Sequence, residues 1–316
     1  MLMPSQVMCM FIRQLRFDLK KNVCSVHFVL AAAVTLALAM SGNFTVDAGQ
    51  DRPAYNFVQL LMHSDKSLWQ TTHYYCDAYM FLRGFRNEWQ AIFLPAVMGL
   101  ACVPQLCDEI NSGNYRFIIS RCTKRIYILS KFIAAVLTTM LVIFTAYSVF
   151  LIICTAVFPA PSEYLSALGD DKHSDYIRSE LAFSDFPANA FFHSGSRLLL
   201  AFSRTLTASL FAVIPCLLSM TLGALTLNKF VSLSLPVMFY FGLSHISEDL
   251  VNKSFGSEKK LPLMMFYQVP ARFGDVERWL ERDLEIPLWA MYLYVLAVTA
   301  LLYLAFSKAI RKRVLC

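Results

Sequence analysis

Nine Cys, six His and 22 Asp or Glu are the residues of this 316-residue chain that could ligate a metal or move a proton. A structural zinc site needs thiols or imidazoles in close pairs, normally two of them. Cys102 and Cys107 stand five apart without a second pair, and no two His form an H-E-x-x-H arrangement, so the spacing argues against a metal centre. The G-x-x-x-x-G-K-[ST] phosphate loop, the G-x-S-x-G nucleophile elbow and a G-x-G-x-x-G turn are all missing. The chain therefore carries no motif for hydrolysing ATP, and neither catalytic nor cofactor-binding residues are assigned to it. His27 is the one imidazole inside an apolar run; it lies near the charged end of that run, where a structural role is favoured over a proton relay.

The segment with a pattern of its own runs from Asp108 to Arg125. It starts polar (Asp108, Glu109, Asn111, Ser112), turns at Gly113, and continues as an apolar ridge of Tyr115, Phe117, Ile118 and Ile119. Arg116, Arg121, Lys124 and Arg125 rim the ridge, with Ser120 beside Arg121. A plain helix–helix connection needs only about 2–8 residues. The extra length, the glycine and the one-sided apolar pattern predict a short helix along the membrane surface, offered to a cytosolic partner or to anionic lipid.

The elements that must position this segment are membrane spans. Hydrophobic residues make up 57% of the chain and charged ones 16%, with a mean hydropathy of +0.51, whereas soluble domains carry roughly 25% charge. With 14% aromatic residues and only 11 Gly and 12 Pro, disorder and collagen-like structure are excluded as well. The net charge of +6 is spread as short basic stretches between apolar runs, which excludes a nucleic-acid-binding surface and suits cytoplasmic anchors. Six windows are free of Asp, Glu, Lys and Arg and long enough to cross a bilayer: 22–45, 90–107, 132–158, 205–227, 230–247 and 286–307. The fifth is short and contains Pro236.

Orientation follows from where the cations fall. The N-terminus, the 108–131 loop, Lys229 and the C-terminus together hold fourteen Lys and Arg against three acids, Asp18, Asp108 and Glu109. That side is cytoplasmic, so both termini are inside and the segments 46–89, 159–204 and 248–285 are extracellular. Met8, Phe11, Ile12, Leu15 and Leu19 recur at helical spacing, which predicts an uncleaved amphipathic helix over 1–21 on the inner leaflet. Trp69, Tyr74, Tyr75, Tyr79, Phe81, Phe85 and Trp89 read as an aromatic belt docked at the outer surface, and Leu261–Phe266 as an apolar segment too short to span. Only Cys76 falls outside, which leaves no extracellular disulfide within one chain. The expected fold is an all-α polytopic membrane protein: one transmembrane domain over 1–316, six transmembrane helices, an N-terminal interfacial amphipathic helix, and a short helix between the second and third spans.

This layout, with Glu109 ending the second span, Gly113, the Ser120-Arg121 pair followed by Arg125, and Lys131 opening the third span, resembles the membrane subunits (permeases) of type 2 ATP-binding-cassette (ABC) transporters. Members of that family often carry Pro beside the Ser-Arg pair, where this chain has Cys122 and Thr123. The resemblance implies a cytoplasmic coupling helix in 108–131 docking on a separate ABC ATPase subunit, which would bind ATP and Mg. It also implies a second permease copy or a paralogous permease. Glu109, Gly113, Tyr115, Phe117, Ile118, Ser120, Arg121 and Arg125 would then be the partner-coupling residues of an exporter in the cell membrane, its substrate unidentified. The competing class is a non-transporting integral membrane immunity or partner-anchoring protein that uses the same basic loop.

Overall fold

The structure, a computed structural model, describes residues 4–41, 43–44, 55–62, 80–81, 84–85, 88–158, 197–254 and 288–314. Over these the chain is an all-α bundle with several long apolar helices, as a polytopic membrane protein requires. α1 (Pro4–Val23) and α2 (Val26–Met40) are followed by a two-residue antiparallel ladder, β1 (Asn43–Phe44) with β2 (Tyr55–Asn56), and by α3 (Phe57–Met62). Then come α4 (Glu88–Leu100), α5 (Val103–Asn111), α6 (Tyr115–Arg121), α7 (Lys124–Val157), α8 (Arg197–Thr226), α9 (Lys229–Ser254) and α10 (Leu288–Val314).

Helix occupies each of the six apolar windows, but in three forms. Three helices are long and apolar enough to cross a membrane unbroken, within α7, α8 and α10. Two more windows belong to bent pairs: 22–45 holds α2, which is bent by 59° from α1, and 90–107 holds α4 and α5, bent by 46°. The apolar part of α9, Lys229–Gly242, is shorter.

Each bend is accommodated locally. At the first, Ser25 Oγ donates to the Asn22 carbonyl (2.6 Å) and accepts from the Phe28 amide (3.1 Å). One hydroxyl thereby closes α1 and caps α2, satisfying groups that both helix ends would leave open. At the second, Pro104 sits in the first turn of α5. There its missing N–H is one of the groups that a helix start leaves open in any case, so the chain can begin a new helix at the bend.

α8 is the central helix, packed on α4, α7, α9 and α10. Of its most apolar stretch 78% is buried, against 33% for α7 and 28% for α10. So much apolar surface on two long helices facing outward is what lipid, and not water, accommodates. Glycine permits the closest approach in the middle of the bundle: a Cβ on Gly99 would stand 2.8 Å from both Ser219 and Leu233.

Of the residues expected in an aromatic belt, Phe81 and Phe85 are described, and they are buried. Phe57, Phe81 and Phe85 are buried against Tyr147, Phe150 and Phe158 toward the far end of α7. Phe85 stacks on Tyr147 at 3.9 Å, and Tyr147 Oη donates to the Gly84 carbonyl (3.2 Å). Rings that can close an edge-to-face and stacked cluster gain more from each other than from an interface. Trp69, Tyr74, Tyr75, Cys76, Tyr79 and the 261–266 segment lie outside the described residues.

α1 carries both apolar and ionic contacts. Met8 (60% exposed) and Ile12 (55%) face outward, whereas the acid Asp18 is buried against α7. The reason is electrostatic and belongs to the site described next.

Candidate functional site

α5, nine residues long, is the hub of the basic end of the molecule. Its end is set by Gly113, which takes φ +74° and donates its amide to the Ile110 carbonyl (3.1 Å). Left-handed backbone at the residue after a helix is a glycine position. The turn through Ser112 to Asn114 then launches α6.

One face of α5 is buried and ionic. Glu109 accepts from Lys131 Nζ (2.8 Å) and Lys21 Nζ (2.9 Å) on one carboxylate oxygen, and from Tyr127 Oη (2.8 Å) on the other. Lys131 reaches on to Asp18 (2.8 Å), whose second oxygen accepts from Ser130 Oγ (2.7 Å), with Gln14 of α1 also donating to that carboxylate. Only 1% of the Asp18 and Glu109 side chains and 10% of that of Lys131 are exposed.

Two acids and two cations make the cluster neutral, and each charge has a partner, the condition under which buried ions are tolerated. The side chains come from α1, α5 and α7. Gln105 Nε2 to the Lys21 carbonyl (3.2 Å) and Asn22 Nδ2 to Thr138 Oγ1 (3.2 Å) pin the end of α1 from both sides. The arrangement ties three helices together through charged and hydroxyl groups. In the link after α6, burial pushes the Cys122 thiol up, Asp18 adding to this and Lys131 opposing it, so it stays protonated.

The other face of α5 meets the turn between α8 and α9. Asp108 lies 3.6 Å from Lys229, both largely exposed, and Asn111 Nδ2 donates to the Leu227 carbonyl (3.2 Å). Leu227 takes the left-handed conformation at φ 57°, and Asn228 Oδ1 caps α9 by accepting from Phe230 N (2.9 Å).

The sequence-derived residues divide accordingly. Glu109 is in the buried cluster and Gly113 at the turn. Tyr115 and Ile118 are half-buried, lying with Ile119 and Cys122 on the side of α6 that packs on the body of the protein. Phe117 (72% exposed), Ser120 and Arg121 lie on the opposite side, open to solvent with Arg116. Arg125 is not on α6: it opens α7 and lines a groove shared with α1 and α10.

Sequence reasoning missed Asp18, Lys21, Tyr127 and Ser130 as members of one site, and knew Lys131 only from the family pattern. A signal was available, since acids on a strongly basic membrane face need a reason to be there, and Asp18 and Glu109 are two of only three. Among the described residues no three His, Cys, Asp or Glu gather as a metal-binding set. Comparison with protein-family models, curated proteins and solved structures returned no match to this chain.

Proposed function

We propose that the chain is the membrane-spanning permease subunit of an ATP-driven exporter, with α6 as the helix that engages a separate ABC ATPase subunit. The observation that carries this reading is the pairing of an exposed short helix with a buried ionic hub one turn away. Phe117, Ser120 and Arg121 form a small apolar and basic face suited to a groove on a partner. Tyr115 and Ile118 fasten α6 to α7, and Gly113 and Glu109 join it to α5. A push on α6 would then reach α1 and α7 through Glu109, Lys131 and Asp18 and would not be lost in a floppy loop. ATP and Mg would be held by the partner, and a second permease copy or paralogue would complete the transporter.

The test is co-purification of the full chain with a candidate ATPase from a neighbouring reading frame, followed by vanadate-sensitive ATP turnover in lipid. A stable complex with turnover is expected, both lost in Phe117→Asp and Arg121→Glu variants that keep wild-type helical content. Absence of complex and turnover from the wild-type pair rejects the exporter reading and favours a partner-anchoring protein.

A further inference from the structure

We infer that the two bent helix pairs share one coupled hinge: α1 and α5 turn as a single unit about Ser25 and Cys102, so that the α1–α2 and α4–α5 bends open and close together. The bends, of 59° and 46°, are built alike. At each, an amide bonds back across only three residues, Ser25 N to the Asn22 carbonyl (3.2 Å) and Cys102 N to the Gly99 carbonyl (3.1 Å). A tight three-residue turn inside an otherwise α-helical run is a common mark of a hinge.

The two bends also meet. Asn22, in the last turn of α1, donates its side-chain amide to the thiol of Cys102 at the α4–α5 break (3.7 Å) and to Thr138 Oγ1 of α7 (3.2 Å). Cys102 stands at the cap position of α5 but gives that helix no side-chain cap bond; its sulfur accepts from the other bend instead. Farther in, Gln105 Nε2 donates to the Lys21 carbonyl (3.2 Å), and Lys21 Nζ to Glu109 (2.9 Å). Residues 102, 105 and 109 follow one another at steps of three and four, so a single stripe of α5, about 10 Å long, is tied to Lys21 and Asn22. Lys131, held by both Glu109 and Asp18, closes the unit one turn earlier in α1.

The kind of contact decides what moves with what. Hydrogen bonds fix distance and direction, whereas apolar contacts are non-directional. α1 and α5 are joined by the first kind. α2 packs on α4 and α7, and its buried side chains are Phe28, Ala31, Thr35 and Ala39, of which Thr35 bonds back to the Ala31 carbonyl of its own helix (2.8 Å). Behind the inner unit stands α7, one helix of 34 residues that presents Tyr127, Lys131 and Thr138 to it. Opening one bend therefore pulls on the bond between Asn22 and Cys102 unless the other bend opens too, which is a coupling free energy between two sites. The hinge belongs to the chain alone and not to an ATPase partner, so its failure and that of the exporter reading are separate results.

The experiment uses the full chain, without a partner, in lipid nanodiscs. Amide hydrogen exchange is read by mass spectrometry in peptides over 22–29 and 99–106, with 134–145 of α7 as the reference. Ser25→Ala removes the hydroxyl that caps the first bend and should speed exchange there about fivefold, the scale of a lost cap. Through the coupling it should also speed exchange at the second bend, by about twofold or more. In an Asn22→Ala background the same substitution should act on the first bend only. An unchanged second bend in Ser25→Ala overturns the coupled hinge, as does an equal response of the second bend with and without the Asn22 side chain. Acceleration of the same size over 134–145 means that the whole bundle has loosened, and overturns it too. Should Asn22→Ala not fold, Gln105→Ala takes its place by cutting the next tie; it should diminish the transmitted response, and an undiminished response overturns the inference.

Discussion

Asp108 and Glu109 are adjacent in the chain and carry the same charge, yet the two faces of α5 give them opposite surroundings. Glu109 turns into the bundle and is held by Lys21, Lys131 and Tyr127 with almost no exposure, whereas Asp108 sits at the surface 3.6 Å from an exposed Lys229. A helix rotates about 100° per residue, so neighbours necessarily look in different directions. What differs in energy is the dielectric. In water the Asp108 pair is screened and entropically costly to hold, while at Glu109 each partner is needed because a lone buried charge is intolerable. One face of α5 is therefore a clamp and the other a loose fastening, with α6 hanging from the end of the same helix.

The sharpest way to break this contrast is Lys131→Met. It leaves Asp18 and Glu109 buried without their shared cation and should cost about 3–5 kcal/mol, read as a large fall in thermal unfolding temperature in detergent. Adding Asp18→Asn and Glu109→Gln to that variant removes the uncompensated charges and should recover most of the loss. No recovery would mean that packing and not charge governs the site.

Glu109→Gln alone keeps the shape and leaves Asp18 for Lys131. It should cost about 1–3 kcal/mol, measured the same way, and an effect equal to that of Asp108→Asn would erase the distinction between the faces. Gly113→Val comes next: a Cβ there has room, with no atom within 4 Å, but the backbone stays at φ +74°. The expected loss is about 1–2 kcal/mol, from strain alone, and Gly113→Asn should lose less because Asn tolerates that region. The smallest effect belongs to the Asp108 and Lys229 pair. A double-mutant cycle of Asp108→Asn with Lys229→Gln should give a coupling under about 1 kcal/mol that vanishes in high salt.

Much of the fold was legible because lipid imposes a simple rule: a crossing segment must be apolar and its backbone self-satisfied. The windows free of charge became α2, α4 with α5, α7, α8, α9 and α10, and the Gly113 turn followed by a short helix could be read from one glycine and an apolar ridge. The bend at Pro104 could not be read from proline alone, since Pro95, Pro215 and Pro236 lie inside helices that continue through them. Which side of α6 is hidden was less accessible. Tyr115, Ile118 and Ile119 share a face by helical spacing, but that they pack inward and Phe117 outward depends on where α7 lies.

By itself the sequence determined the lipid-facing character of the chain, the helices, and the basic end where both termini and the 108–131 segment collect. Only the tertiary structure decided that Asp18, Glu109 and Lys131, some twenty to over a hundred residues apart, share one buried cluster. The first is written in composition because the solvent acts on each segment separately. The second is not, because a charge can be buried only where another arrives at about 3 Å with opposite sign, and that meeting is made by the packing of α1, α5 and α7 together.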